Sequence, residues 1–237
     1  MSFNLSSRRR FIQLLAISSV LPVLGSLGKK SLAYCTVRVQ AGVNWGNGKA
    51  YFFNGSQYIR YDIAADKADL GYPLPIVGHW PGLDAFFNGS IDDVVNWGNG
   101  KAYFFKGSQY IRYDIAADKA DSGYPLPIAG YWPGLDAFFG GIDAVVNWGN
   151  GKAYFFKGSQ YIRYDIAADK ADSDYPLPIA GYWPGLDAFF SGIDAVVNWG
   201  NGKAYFFKDS QYIRYDIAAD KADSGYPLPI AGYWPGL

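Results

Sequence analysis

The 237-residue chain contains no glutamate; its 21 acidic residues are all aspartate. It has one histidine, His79, and one cysteine, Cys35. These absences exclude much chemistry. A zinc site of the His-Glu-x-x-His type cannot be written, and one chain cannot supply two histidines to a metal. A cysteine–histidine nucleophile pair would have to be Cys35 with His79. We find no paired acids with a plausible partner and assign no catalytic residue. Charge of one sign is not in excess either, with 21 basic against 21 acidic side chains. That balance provides no basic surface for nucleic acid. What is present is aromatic: 19% of residues are Phe, Trp or Tyr, and half are hydrophobic. Such a chain is long and apolar enough to bury a sizeable core and is unlike a disordered one.

Residues 1–33 have a different composition. Arg8-Arg9-Arg10-Phe11 precedes an apolar run from Leu14 to Leu27, followed by Lys29-Lys30 and the small residues Ser31 and Ala33. A basic segment, an apolar segment and a small-residue cleavage site make an export signal, with cleavage expected after Ala33. The paired arginines resemble the twin-arginine motif, with Gln13 where lysine is usual. The run, broken by Ser18, Ser19 and Pro22, is short for a spanning helix, so no membrane insertion is expected after cleavage. An alternative reading makes Cys35 a lipid anchor, against which stands the bulky Tyr34. Cleavage removes five basic residues and no acid, leaving 16 basic and 21 acidic residues, a net charge of −5. A cationic ligand fits that charge; a polyanion does not.

The remainder repeats. Trp45, Trp97, Trp148 and Trp199 recur at about 51 residues, as do Trp80, Trp132, Trp183 and Trp234. The unit 91–141 differs from 142–192 at three positions: Asp93/Ala144, Gly123/Asp174 and Gly140/Ser191. The units are 39–90, 91–141, 142–192 and 193–237. Within the second, Ile91–Trp97 reads as a strand. Gly98-Asn99-Gly100 reads as a tight turn, Asn-Gly tolerating positive φ at both central positions. Lys101–Phe105 and Gln109–Asp114 are further strands. Alternation puts Ile111 and Tyr113 on one face, Tyr110 and Arg112 on the other. The two prolines in Tyr124-Pro125-Leu126-Pro127-Ile128 restrict that segment to an edge strand or no strand. Three or four antiparallel strands, four times over, predict an all-β, four-bladed β-propeller with the first strand of each blade at the axis. The ring lacks exposed ends only if the fourth blade meets the first.

Ile142-Asp143-Ala144, Tyr154-Phe155-Phe156-Lys157-Gly158, Tyr161-Ile162-Arg163-Tyr164-Asp165, Tyr175-Pro176-Leu177-Pro178-Ile179 and Trp183-Pro184-Gly185 resemble the hemopexin-like repeat, in order and in all four units. The resemblance implies a four-bladed propeller used for ligand or protein binding. It also implies an axial calcium or sodium ion held by main-chain carbonyls, at positions that map to Gln40, Asp92, Asp143 and Asp194. Hard cations take such oxygen ligands, and three aspartates there would make the mouth electronegative. Alternatively those aspartates cap turns or pair with arginines. The family's usual disulfide between the first and last blades has no counterpart, since Cys35 has no partner. Closure is left to packing and the ion, or Cys35 pairs between chains in a homodimer. Haem capture in this family uses two histidines; here only His79 is available, standing where other units have Tyr131, Tyr182 and Tyr233.

Arg60, Arg112, Arg163 and Arg214 share a strand face with Asp62, Asp114, Asp165 and Asp216, two positions on. They read as blade-stabilising ion pairs. The Asp66–Asp69 loop and its copies read as solvated outer loops, and the periodic tryptophans as core between blades. The resulting expectation is an exported, non-catalytic module, periplasmic or extracellular. It would bind an axial cation and a small cationic ligand such as a polyamine, or else another protein, and less readily haem at His79.

Overall fold

The computed structural model describes residues 37–84 and 91–237. The expected export signal, its cleavage position and Cys35 lie outside the described residues. Four antiparallel sheets follow one another along the chain. Their first strands are Ala41–Asn44, Asp93–Asn96, Ala144–Asn147 and Ala195–Asn198. The second are Lys49–Asn54, Lys101–Lys106, Lys152–Lys157 and Lys203–Lys208. The third are Gln57–Asp62, Gln109–Asp114, Gln160–Asp165 and Gln211–Asp216. Two short strands, such as Lys119–Ala120 and Leu126–Pro127, both pair with the third. Prolines are tolerated there because the segment is an outer edge.

The first hairpin differs from the sequence expectation. Gly98 and Gly100 have positive φ (86° and 82°), whereas Asn99 does not. The loop has three residues, closed by Trp97 N donating to Lys101 O at 2.9 Å. Side chains organise it: Asn96 Oδ1 accepts from Gly98 N and Asn99 Oδ1 from Lys101 N. These Asx-type bonds replace the paired positive φ of a two-residue turn.

Strand alternation sends each sheet's two faces to different neighbours. Ile111 and Tyr113 enter the core between blades one and two, while Tyr110 enters that between blades two and three. The tryptophans fill these cores. Trp45 meets Trp80 edge-on at 5.3 Å and 84°, and the other pairs repeat it at 5.3–5.4 Å. Offset and edge-on contacts are what ring quadrupoles favour.

The fourth blade meets the first. Ala50, Phe52 and Tyr61 share a core with Val197, Trp199, Phe207 and Trp234. Each Trp-Pro-Gly-Leu run acts as a clasp on the following blade. Ala120 N donates to Pro81 O, Ala171 N to Pro133 O, Ala222 N to Pro184 O, and Ala68 N to Pro235 O at 2.8 Å, which closes the ring. Glycine is required in the clasp. A Cβ on Gly134 would lie 2.6 Å from Ala171 Cβ, and one on Gly236 2.5 Å from Ala68 Cβ. Both residues also have φ near +90°. Arg38 adds an ion pair to Asp209 at 2.8 Å, exposed and worth little.

Candidate functional site

The four first strands stand side by side around the axis, the fourth beside the first. One end of the axis is ringed by asparagines. Asn44 Nδ2 donates to Asn198 O, Asn198 to Asn147 O, Asn147 to Asn96 O, and Asn96 to Asn44 O, at 3.1–3.4 Å. This cyclic chain borders a cavity of about 230 Å3 lined by the same asparagines, valines and glycines. The sequence places Asn96 within the expected strand Ile91–Trp97 and assigns it no role; its recurrence at the same position in all four units was the available signal.

The other end opens into a cavity of about 600 Å3. Gln40, Asp92, Asp143 and Asp194 all line it, so residues 51 or 52 apart are brought to one mouth. Their side chains turn back to cap hairpins of their own blades. Gln40 Oε1 accepts from Gly55 N, Asp92 Oδ2 from Gly107 N, Asp143 Oδ2 from Gly158 N and Asp194 Oδ2 from Asp209 N. Burial pushes the Asp92 carboxyl above the usual carboxylate range, against the Gly107 hydrogen bond. The mouth is not simply electronegative. Arg38, Lys157 and Lys208 line it with the aspartates, and Lys157 Nζ donates to Gly141 O. Among the described residues no cluster of three or more His, Cys or Asp side chains could hold a metal ion. Any ion at this mouth would therefore rely on main-chain oxygens.

Between the two mouths lies a group that breaks the repeat. Asp93 stands where the other blades have Ala41, Ala144 and Ala195. It is the one fully buried charged residue among those described. Its Oδ1 accepts from Gly42 N of blade one at 3.2 Å and its Oδ2 from Val145 N of blade three at 2.6 Å. One carboxyl thus bridges three first strands. Burial pushes it well above the ordinary range, while the amides of Val145, Val94 and Gly42 pull the other way. No lysine or arginine among the described residues pairs with it.

The outer ion pairs exist, but with different partners from those expected. Arg112 Nε donates to Asp121, not Asp114, while Lys101 Nζ bridges Asp114 and Asp121 at 2.8–3.0 Å. The same trio recurs in every blade. Asp114 and Arg112 share a face, but Lys101 sits directly across the ladder from Asp114 and reaches it first. The loop aspartates are not merely solvated: Tyr113 Oη donates to Asp118 Oδ1 at 2.9 Å, and likewise in the other blades. His79 is exposed, its ring 6.1 Å from that of Tyr58.

Four five-stranded sheets closed around an axis with a cavity at either end define a four-bladed propeller. The hemopexin family profile matches residues 39–85, 91–137, 142–188 and 193–237, and the chain belongs to the hemopexin-repeat family, a module of non-enzymatic type. Mouse matrix metalloproteinase-21 is 28% identical over 201 residues, covering 78% of this chain and 34% of that protein. The chain thus spans about a third of that relative's length. The seed albumin LS24 of Lathyrus sativus superposes with a TM-score of 0.74 at 27% identity, over 83% of this chain and 94% of its own. A plant lectin with two metal binding sites from Cicer arietinum gives 0.74 at 26% identity, over 83% and 95%.

Proposed function

We propose that the propeller is an exported binding module that holds a calcium or sodium ion on its axis, through the main-chain carbonyls of Gln40, Asp92, Asp143 and Asp194. The observation that carries this reading is Asp93. With no solvent exposure, its ionised form is costly unless a positive charge offsets it, and without one burial pushes the carboxyl toward its protonated form. Amide hydrogen bonds relieve part of that cost but bring no net charge. A hard cation beside it on the axis would supply the charge, and converging backbone oxygens are the ligands such cations take. The Cicer arietinum relative, described as having two metal binding sites, is consistent with ion binding on this fold. The small cationic ligand, with a polyamine as its type, rests on the net charge of −5 expected after signal cleavage. Arg38, Lys157 and Lys208 at the same mouth oppose it.

Calorimetric titration of the purified protein with calcium, sodium, spermine and hemin tests the reading. Saturable heat with calcium or sodium is expected. Heat with neither overturns the axial ion and leaves protein or surface interaction as the working function. Silence with spermine removes the polyamine alone. A Soret shift with hemin that is lost in His79→Ala would make His79 a haem ligand.

A further inference from the structure

We propose that the clefts between neighbouring blades are saccharide sites, repeated around the rim and independent of the axial ion. The cleft between blades two and three encloses about 340 Å3, within the range of small-molecule pockets. Tyr103, Tyr110, Arg112, Tyr124, Tyr131 and Trp132 line it from blade two, and Asp169 from blade three. Tyr131 is 53% exposed, so one aromatic ring at the rim is open to a ligand. Deeper in, the rings of Tyr110 and Tyr124 meet edge-on at 5.4 Å, and the Arg112 guanidinium lies 5.3 Å from the Tyr124 ring centre. Asp169 Oδ1 accepts from Tyr164 Oη. The Trp132 indole N–H is buried and has no acceptor in the protein, as is true of Trp80 and Trp183. Buried donors are normally satisfied by protein, water or ligand.

This combination selects a class of ligand. An exposed aromatic ring suits the C–H face of a pyranose, which is apolar on one side. A guanidinium and phenols on one side, and a carboxylate on the other, can give to and take from ring hydroxyls. Arg112 repels a cation and Asp169 repels an anion, so the cleft favours a neutral polyhydroxylated ligand over a polyamine or a phosphate. The arrangement recurs. Tyr182 and Tyr233 are also exposed, and each lies 6.3–6.4 Å from the tyrosine that matches Tyr110. Arginine stacks on tyrosine in every blade at 5.3–5.5 Å. Only blade one differs, with His79 at the rim in place of tyrosine. Several weak sites on one ring suit a polymer with repeating sugar units, where avidity multiplies affinity without new contacts.

The test uses methyl glycosides of glucose, galactose, mannose and N-acetylglucosamine, read by saturation-transfer NMR on the whole protein, then calorimetry with the best of them. At least one glycoside is expected to receive saturation. The triple variant Tyr131→Ala/Tyr182→Ala/Tyr233→Ala, changed only at exposed rings, should lower its affinity tenfold or more with an unchanged thermal midpoint. His79→Tyr should add one binding site per chain, a gain that general destabilisation cannot mimic. Silence from all four sugars overturns the proposal, as does full binding by a folded triple variant.

Discussion

Asp93 is where a single residue separates one blade from the other three. In the sequence it is visible as a difference, Asp93 against Ala144, with nothing to mark it as axial. The fold decides that, because only a closed ring brings the amides of Gly42 and Val145 onto its two oxygens. Substituting Asp93→Asn removes the charge at nearly constant volume. It also places an amide donor where only backbone donors point. If the carboxylate balances an axial cation, calcium affinity should fall about tenfold, or ~1.4 kcal/mol, by calorimetry. Asp143→Asn, whose side chain only caps a hairpin, should leave calcium affinity within about threefold. Equal losses in both variants would remove the special role of Asp93. The side-chain roles of Asp92, Asp143 and Asp194 were half legible. Their convergence follows from the repeat, whereas their turn-capping depends on where the second hairpin of each blade lies.

At the scale of the strand and its turns, two devices join the blades and neither is a disulfide. One is the cycle of asparagines at the ends of the first strands, and the other is the Trp-Pro-Gly-Leu clasp. Each asparagine serves twice: its Nδ2 crosses to the preceding blade and its Oδ1 holds the following glycine amide. Replacing Asn147 by alanine removes both. Since a net hydrogen bond contributes about 0.5–1.5 kcal/mol, the loss should be ~1–3 kcal/mol. Urea unfolding should show this as a lower midpoint with an unchanged slope. An unchanged midpoint would mean that the ring of asparagines contributes nothing to holding the blades together. The sequence displays the clasp motif four times without showing what it holds. A one-dimensional string cannot show that Gly134 is kept bare by Ala171, which belongs to the next copy.

For the whole molecule, fourfold repetition turns small local terms into a global one. In every blade a lysine hydrogen-bonds and pairs with an aspartate of the third strand. Lys49, Lys101, Lys152 and Lys203 thereby hold Asp62, Asp114, Asp165 and Asp216 below their usual range. An acid whose pKa is depressed in the folded state contributes stability above its unfolded pKa, about 3.9. That contribution is lost as pH falls through the folded value. All four titrate in the same direction, so their contribution to the thermal midpoint should hold from pH 7 to about 5 and be lost below about 4, whereas the raised values of Asp92 and Asp93 act in the opposite sense. Lys101→Met should make the drop shallower, because Asp114 loses the largest cause of its shift and Asp121 one of its two cations. A midpoint that stays level to pH 2 would show that these exposed clusters carry no stability.

The sequence by itself determined the local structure and the count: four units, their hairpins, and which face of each strand is aromatic. These follow from periods of two and of about 51, and both periods are written in the chain. It did not determine which charged partner wins or which side chain is buried on the axis. Arg112 takes Asp121 rather than Asp114 because Lys101, across the ladder, reaches Asp114 first. Asp93 is buried because blade four closes on blade one. Partners in space and burial on an axis exist only once the ring is shut, and the absence of glutamate with a single histidine and a single cysteine could exclude chemistry without locating it.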